Sequence, residues 1–299
     1  MRRGFRGIQW LVKQIARHLR TGSAFALLAI GGVLLASPAV AEVSVTIQDR
    51  DVARSVSLGG SCNRCELSGR NLSGAAFTGA SFMNATLVGA NLRGAEMVGS
   101  NFTGSDFSRA NLSGVQIVGA NFTSTNFTRA VLTGAEAQGS SFVRANMTNA
   151  DLTGGEMHGV NFSNATLMNT KFVGAELFGA TLANVTATGA DFSGSEMNAA
   201  NMRGGDFSNA RFVSATLDGA RLSDGRFSRA DFTDVSMRRA DIRGADLSEA
   251  RGLTQDQVGE ACGDETTRLP GRLTAMACRG SVRVIRSPTP PTPPTPPRR

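Results

Sequence analysis

Ala90-Asn91-Leu92-Arg93-Gly94-Ala95-Glu96-Met97-Val98-Gly99 carries the pattern on which the rest of the chain can be read. A large apolar residue, Leu92 and then Met97, stands at every fifth place, with a small residue two places before it. Carried outward in both directions, this register runs from residue 67 to residue 247 without a phase slip, which makes 37 consecutive units. Their centres are 14 Phe, 13 Leu, 6 Met and 2 Ile, with Ala137 and Ala187 as small exceptions. Two places before each centre stands Ala, Gly, Ser, Thr, Val or Cys, with Arg70 the exception. A period of five matches neither the helical repeat of about 3.6 nor the strand repeat of about 2, so it calls for a repeat architecture.

The sizes of the residues decide what that architecture is. A chain that turns a corner every five residues closes a square coil in four units, with the large centre and the small residue before it both pointing inward. Such a mixture of large and small side chains fills a narrow square at the density that protein cores require. Stacked at the strand spacing of about 4.8 Å, 37 units form about nine coils and a rod of roughly 45 Å. Proline is absent from residues 39–269, as expected where backbone N–H groups pair between coils. The expected fold is therefore an all-β solenoid, a quadrilateral β-helix.

The formal charge of +7 belongs to the ends of the chain. Residues 1–41 carry six basic residues and no acid, and seven arginines lie beyond residue 267. Residues 61–251 hold 16 basic and 17 acidic side chains. A nucleic-acid groove needs clustered basic residues on one face, and the repeat region has no such excess. Residues 1–41 read as a signal peptide: a basic start, the apolar run AFALLAIGGVLLA at 24–36, and Ala39-Val40-Ala41 before the cut. The apolar run is short of the roughly 20 residues that a membrane span needs, so no span is expected after cleavage. An uncleaved anchor is the alternative. The expected location is periplasmic or secreted. Residues 42–60 form an N-terminal lead-in, in which 43–47 have β character.

Units such as Ala90-Asn91-Leu92-Arg93-Gly94 and Ala190-Asp191-Phe192-Ser193-Gly194 resemble the A(D/N)LXX pattern of the pentapeptide-repeat family. The resemblance implies that the quadrilateral β-helix is right-handed. It also implies a class of activity, since some members resemble duplex DNA in shape and negative charge and bind type II topoisomerases. Thr254-Gln255-Asp256-Gln257 reads as a capping box that opens a short helix reaching to about Cys262. Residues 252–286 are assigned to a C-terminal cap over the last coil, and the stretch from Gly252 to Cys278 resembles the cap of exported bacterial members. Residues 287–299 (SPTPPTPPTPPRR) form a proline-rich polyproline II tail.

The four cysteines fit an oxidising compartment and lie as two pairs at opposite ends of the repeat. That separation excludes one zinc site built from all four. Cys262 and Cys278 are expected to form a disulfide that staples the cap. Cys62 and Cys65 fall at a centre and at a small inward position, open to a structural disulfide, to buried thiols or to redox chemistry. His158 is the one histidine after residue 41 and follows a centre, so it should face solvent. The unbroken phase leaves no inserted loop to shape a cleft, and no catalytic residue, cofactor site or metal site is expected.

One row stands out on the surface. Glu96, Gln116, Glu136, Glu156, Glu176 and Glu196 each precede a centre and are 20 residues apart, so they should stack along one face. They are either solvated carboxylates copied by duplication or a docking stripe for a basic partner. Phe178, the off-centre Phe of the repeat, lies beside them. The function expected is that of a non-enzymatic envelope scaffold or binding protein whose partner is a protein or an envelope polymer. Nucleic acid is not expected as a partner, and a dimer is compatible with the sequence. DNA mimicry toward a topoisomerase is the alternative, although the export signal and the balanced body argue against it. A thiol oxidoreductase using Cys62 and Cys65 stands third.

Overall fold

The structure, a computed structural model, describes residues 60–278. The expected signal (1–41), almost all of the lead-in (42–60), the end of the cap region (252–286) and the tail (287–299) lie outside these residues. Parallel bridges join each residue before a centre to the one 20 places on, from Ser61↔Ser81 through Asp231↔Arg251. Four units therefore close one coil, and each coil has four faces. In chain order we number them from the coil that contains the centres Leu67 (face one), Leu72 (face two), Phe77 (face three) and Phe82 (face four).

The repeat satisfies its own backbone. The amide of each centre donates to the next coil, as in Leu92 N to Asn111 O at 2.7 Å, and the amide two places on does the same, as in Gly94 N to Ser113 O at 3.0 Å. The residue before the centre donates to the coil below, Asn91 N to Arg70 O at 2.9 Å. A turn bond closes the corner, Ala95 N to Leu92 O at 3.0 Å. At every corner from Arg64 to Gly244 the third turn residue has positive φ, as a type II turn demands. Gly and Asn accept that conformation readily, whereas arginines such as Arg129, at φ 60°, occupy it under strain.

One amide per unit remains, that of the residue after the centre. Where Asn or Asp precedes the centre, its side chain takes it: Asn101 Oδ1 accepts Thr103 N at 3.0 Å and also the Thr103 hydroxyl at 2.7 Å. Asp191 does the same for Ser193, and Asp231 for Thr233. The Asn/Asp before the centre and the Ser/Thr after it are thus the two halves of one Asx turn.

Inside, every centre from Leu67 to Leu247 is buried. On face four, Phe82, Phe102, Phe122, Phe142 and Phe162 form one stack with centroids 4.8–5.4 Å apart. Farther along the chain the stack moves to face two, through Phe172, Phe192, Phe212 and Phe232. Buried hydroxyls at the small positions bond to carbonyls of centres, as Thr125 does to Phe102 O and Ser195 to Phe192 O. Arg70, the exception at these positions, is half-buried at the first coil.

The coil changes at its C-terminal end. Helix α1, Gln255–Glu260, stands where face three would continue after Ser236. Its capping box between Thr254 and Gln257 forms as the sequence predicts, and the helix ends at Glu260, two residues before Cys262. The Gln257 amide reaches back to Phe232 O and Val235 O, while Val258 is buried. Strands β1, Cys262–Gly263, and β2, Met276–Ala277, pair in parallel, and β1 continues the face-four column through Asp241↔Cys262. Among the described residues no helix is long and apolar enough to cross a membrane.

Candidate binding face

Bridges Glu96↔Gln116, Gln116↔Glu136, Glu136↔Glu156, Glu156↔Glu176 and Glu176↔Glu196 place the predicted row in successive coils on face three. These side chains are exposed or half-buried. Phe178 lies on the same face and is 55% exposed. His158, read from the sequence as a solitary surface residue, is part of this face. Its Nε2 lies 2.8 Å from Glu176 Oε2, and its ring meets that of Phe178 edge-on at 6.4 Å. Gln138 Nε2 donates to Glu156 at 2.9 Å in the same diagonal geometry.

The face has two further properties. Both bordering corners are rows of glycine, Gly94, Gly114, Gly134, Gly154, Gly174 and Gly194 on one side and Gly99, Gly119, Gly139, Gly159 and Gly179 on the other. From Glu96 to Glu176 the third turn residues on both sides therefore carry no side chain. Glu66 takes the turn amide of Ser68 at 2.8 Å, but on this face the glutamates and Gln116 do not, so among the described residues the amides of Val98, Val118, Gln138, His158, Phe178 and Asn198 have no protein acceptor. The face presents a file of carboxylates, a file of unused N–H donors and a pair of aromatic rings.

Face two is built on the opposite plan. Its column reads Asp151, Lys171, Asp191, Arg211, Asp231, Arg251, joined bridge by bridge. Arg211 lies 3.5 Å from Asp191. The Thr233 hydroxyl, aided by Arg211 and Arg251, holds the Asp231 carboxyl below the usual range. On face one, Asp206, Arg226, Asp246 and Arg268 alternate in the same way. Asp246 is lowered mainly by the Ser248 hydroxyl and further by Arg268. Sequence reading missed this alternation, which appears as soon as every twentieth residue is written in a column.

Face four carries a hollow of about 530 Å³ lined by Asn201, Arg203, Arg221, Ser223, Asp224, Asp241, Arg243 and Asp264. Long side chains of adjacent coils stand off the prism and wall a polar recess without any inserted loop. Its charges largely satisfy one another, with Arg203 3.0 Å from Asp224 and Arg243 2.6 Å from Asp241.

The cysteines form two disulfides, Cys62–Cys65 and Cys262–Cys278, among the described residues. The first lies part-buried in the first coil, and the second ties β1 to the residue after β2. Asp241 Oδ1 approaches Cys278 Sγ at 3.9 Å. The trio Asp241, Cys262 and Cys278 could ligate a metal only as free thiolates, which the disulfide removes.

The sequence model of the family described as Pentapeptide repeats matches in eight copies that together span residues 61–251. Among solved structures, the chain is similar to HetL, a pentapeptide repeat protein involved in heterocyst differentiation regulation in the cyanobacterium Nostoc sp. strain PCC 7120. The identity is 26% and the TM-score 0.57, over 63% of this chain and 83% of that one. It is also similar to QnrB1, a plasmid-mediated fluoroquinolone resistance protein, at 24% identity and TM-score 0.44 over 62% of this chain and 92% of that one. No curated protein matches significantly. The family match and the likeness to HetL identify the solenoid as a right-handed β-helix.

Proposed function

Because the chain belongs to the pentapeptide-repeat family, we propose that it is a non-enzymatic binding scaffold of the cell envelope, working through the carboxylate face of its solenoid. One observation carries the reading. Faces one and two neutralise their charge columns by alternation, whereas face three stacks Glu136, Glu156, Glu176 and Glu196 without a cation between them. Adjacent carboxylates at about 4.8 Å repel by up to about 0.9 kcal/mol in water, and a basic partner would remove that repulsion.

In this reading residues 1–41 are a cleaved export signal, 42–60 lead into the solenoid, and 61–251 make about nine coils. Residues 252–286 close the last coil with a short helical cap, and 287–299 extend from it as a proline-rich arm. The protein then acts in the periplasm or outside the cell, a setting in which two disulfides persist. Its partner is a basic protein or a cationic envelope polymer. DNA mimicry would require carboxylates spread around the rod, and the alternating columns on faces one and two do not offer them.

In-cell crosslinking of the wild type beside a Glu136→Lys, Glu156→Lys, Glu176→Lys variant tests the reading. The variant should lose the wild-type partner. Equal capture by both proteins overturns the assignment of face three.

A further inference from the structure

Face four breaks the pattern that closes the turns elsewhere. Its column before the centres reads Asn161, Thr181, Asn201, Arg221, Asp241, joined bridge by bridge. Asp191 and Asp231 show what an acid does in that position: one carboxylate oxygen accepts both the amide and the hydroxyl of the residue after the centre. Arg221 has no oxygen to offer. Among the described residues the amide and hydroxyl of Ser223 therefore have no protein acceptor, and the Arg221 guanidinium has no hydrogen-bond or ion-pair partner. An amide, a hydroxyl and a guanidinium thus line one part of the face-four recess, around the place that an Asx carboxylate takes in other units.

The other charges of the recess leave one opposite group unmatched. Asp224 is paired with Arg203 and Asp241 with Arg243. Asp264 accepts the amides of Gly244, Thr266 and Thr267 and the hydroxyls of Thr266 and Thr267, all on Oδ1. Among the described residues no hydrogen bond reaches its Oδ2. Burial works against the charge of Asp264, but the Thr266 hydroxyl and the Gly244 and Thr266 amides hold its carboxyl below the usual range, so it is ionised at neutral pH.

Ser223 lies two residues after Arg221 and Asp264 two after Cys262, two bridges along the same column, which sets them about 9.6 Å apart. A hydrogen bond of about 2.9 Å at each end leaves about 4 Å between them. The carboxylate and ammonium of an α-amino acid or a dipeptide span such a gap, and a hollow of about 530 Å³ admits either. The lining holds three arginines and three aspartates, so a ligand with one charge of each sign keeps it balanced. A phosphate dianion would add charge beside Asp224, Asp241 and Asp264 with nothing to offset it.

From these unmatched groups, which lie apart from face three, we infer that the face-four recess binds a small zwitterion, an α-amino acid or a dipeptide, with its carboxylate on Arg221 and Ser223 and its ammonium on Asp264 Oδ2. The carboxylate takes the acceptor position that Asp191 fills for Ser193, and the bonds it receives are charge-assisted.

Calorimetric titration of the full-length protein with glycine and with glycylglycine tests this. At least one should bind saturably, and the tighter of the two gives the size of the ligand. Arg221→Asn should weaken that probe about tenfold or more, since it removes a charge-assisted contact and fills the Ser223 turn from within, as Asn121 fills that of Thr123. The substitution adds a turn bond, so the variant should unfold no earlier than wild type, which separates lost binding from lost fold. Arg226→Asn makes the same change on face one, ahead of Ser228 and outside the recess, and should leave binding unchanged. Amidating the carboxylate of the probe or acetylating its amine should each weaken it about tenfold. Asp264→Asn, which keeps Oδ1 for the cap, should do the same. No saturable binding by either probe, or equal binding to Arg221→Asn, overturns the inference. So does equal binding of the amidated or the acetylated probe, or an equal loss in Arg226→Asn, which would make the probe a reporter of surface charge alone.

Discussion

Faces two and three share one backbone, one core and one coil spacing, yet they treat charge in opposite ways. On face two Asp151, Lys171, Asp191, Arg211, Asp231 and Arg251 alternate, and the aspartates also accept the turn amide beside them. On face three like charges stack and the turn amides go unused. The core beneath differs in the same sense. Stacked phenylalanines back face two from Phe172 onward, whereas Met97, Ile117, Ala137, Met157, Leu177 and Met197 back face three. The fold permits alternation, so the carboxylate file is not something the coil requires. It is the part of the surface where local stability has been forgone.

The largest effect should come from the core of face two. Phe212→Ala removes a ring stacked on both Phe192 and Phe232, and about 3–5 kcal/mol should be lost in urea denaturation. A loss no greater than that of Met197→Ala would erase the difference between the two cores. Next comes conversion of face two into a like-charge column. Asp191→Lys places three cations in succession and leaves the Ser193 amide without its acceptor, which should cost about 2–3 kcal/mol. The opposite change on face three should stabilise. Glu156→Gln relieves repulsion from Glu136 and Glu176, keeps an acceptor for Gln138, and should raise stability by about 1 kcal/mol, less in high salt.

The smallest effect is that of acid, because the groups concerned are largely solvated. The Asp241 carboxyl is lowered chiefly by Arg243, and Asp231 and Asp246 by their Asx hydroxyls. At Asp218 burial opposes the shift, but bonds from Arg238 and Ser236 prevail. A carboxyl lowered on folding stabilises the fold above its unfolded value of about 3.9, and that contribution fades as pH falls through the lower folded value. Hydrogen exchange between about pH 4 and pH 2 should therefore show amides beside Asp231 and Asp246 losing protection before those around Phe102 and Phe122, whose turns are closed by Asn101 and Asn121, side chains that do not titrate. Uniform loss along the rod would remove this distinction.

How much of this could be read from the residues follows from the spacing of each contact. The coil closes on a whole number of residues, so every contact at a separation of 20 is legible as a column: the core, the corners, the glutamate file and the alternation on face two. The capping box of α1 is local and was equally legible. The diagonal contacts were not. Gln138 to Glu156 and His158 to Glu176 span 18 residues, and Arg203 to Asp224 spans 21. Each depends on how far a side chain leans across to the neighbouring coil.

The same division holds for the molecule as a whole. By itself the sequence determined the fivefold turn, the four-sided coil and the identity of every inward side chain, because close packing and a fixed period leave only one way to bury them. Only the tertiary structure decided which surface groups meet: His158 joining the carboxylate face, the recess between the face-four arginines, and Cys62 closing on Cys65. Long polar side chains have many rotamers of similar energy, and the neighbouring coil selects among them.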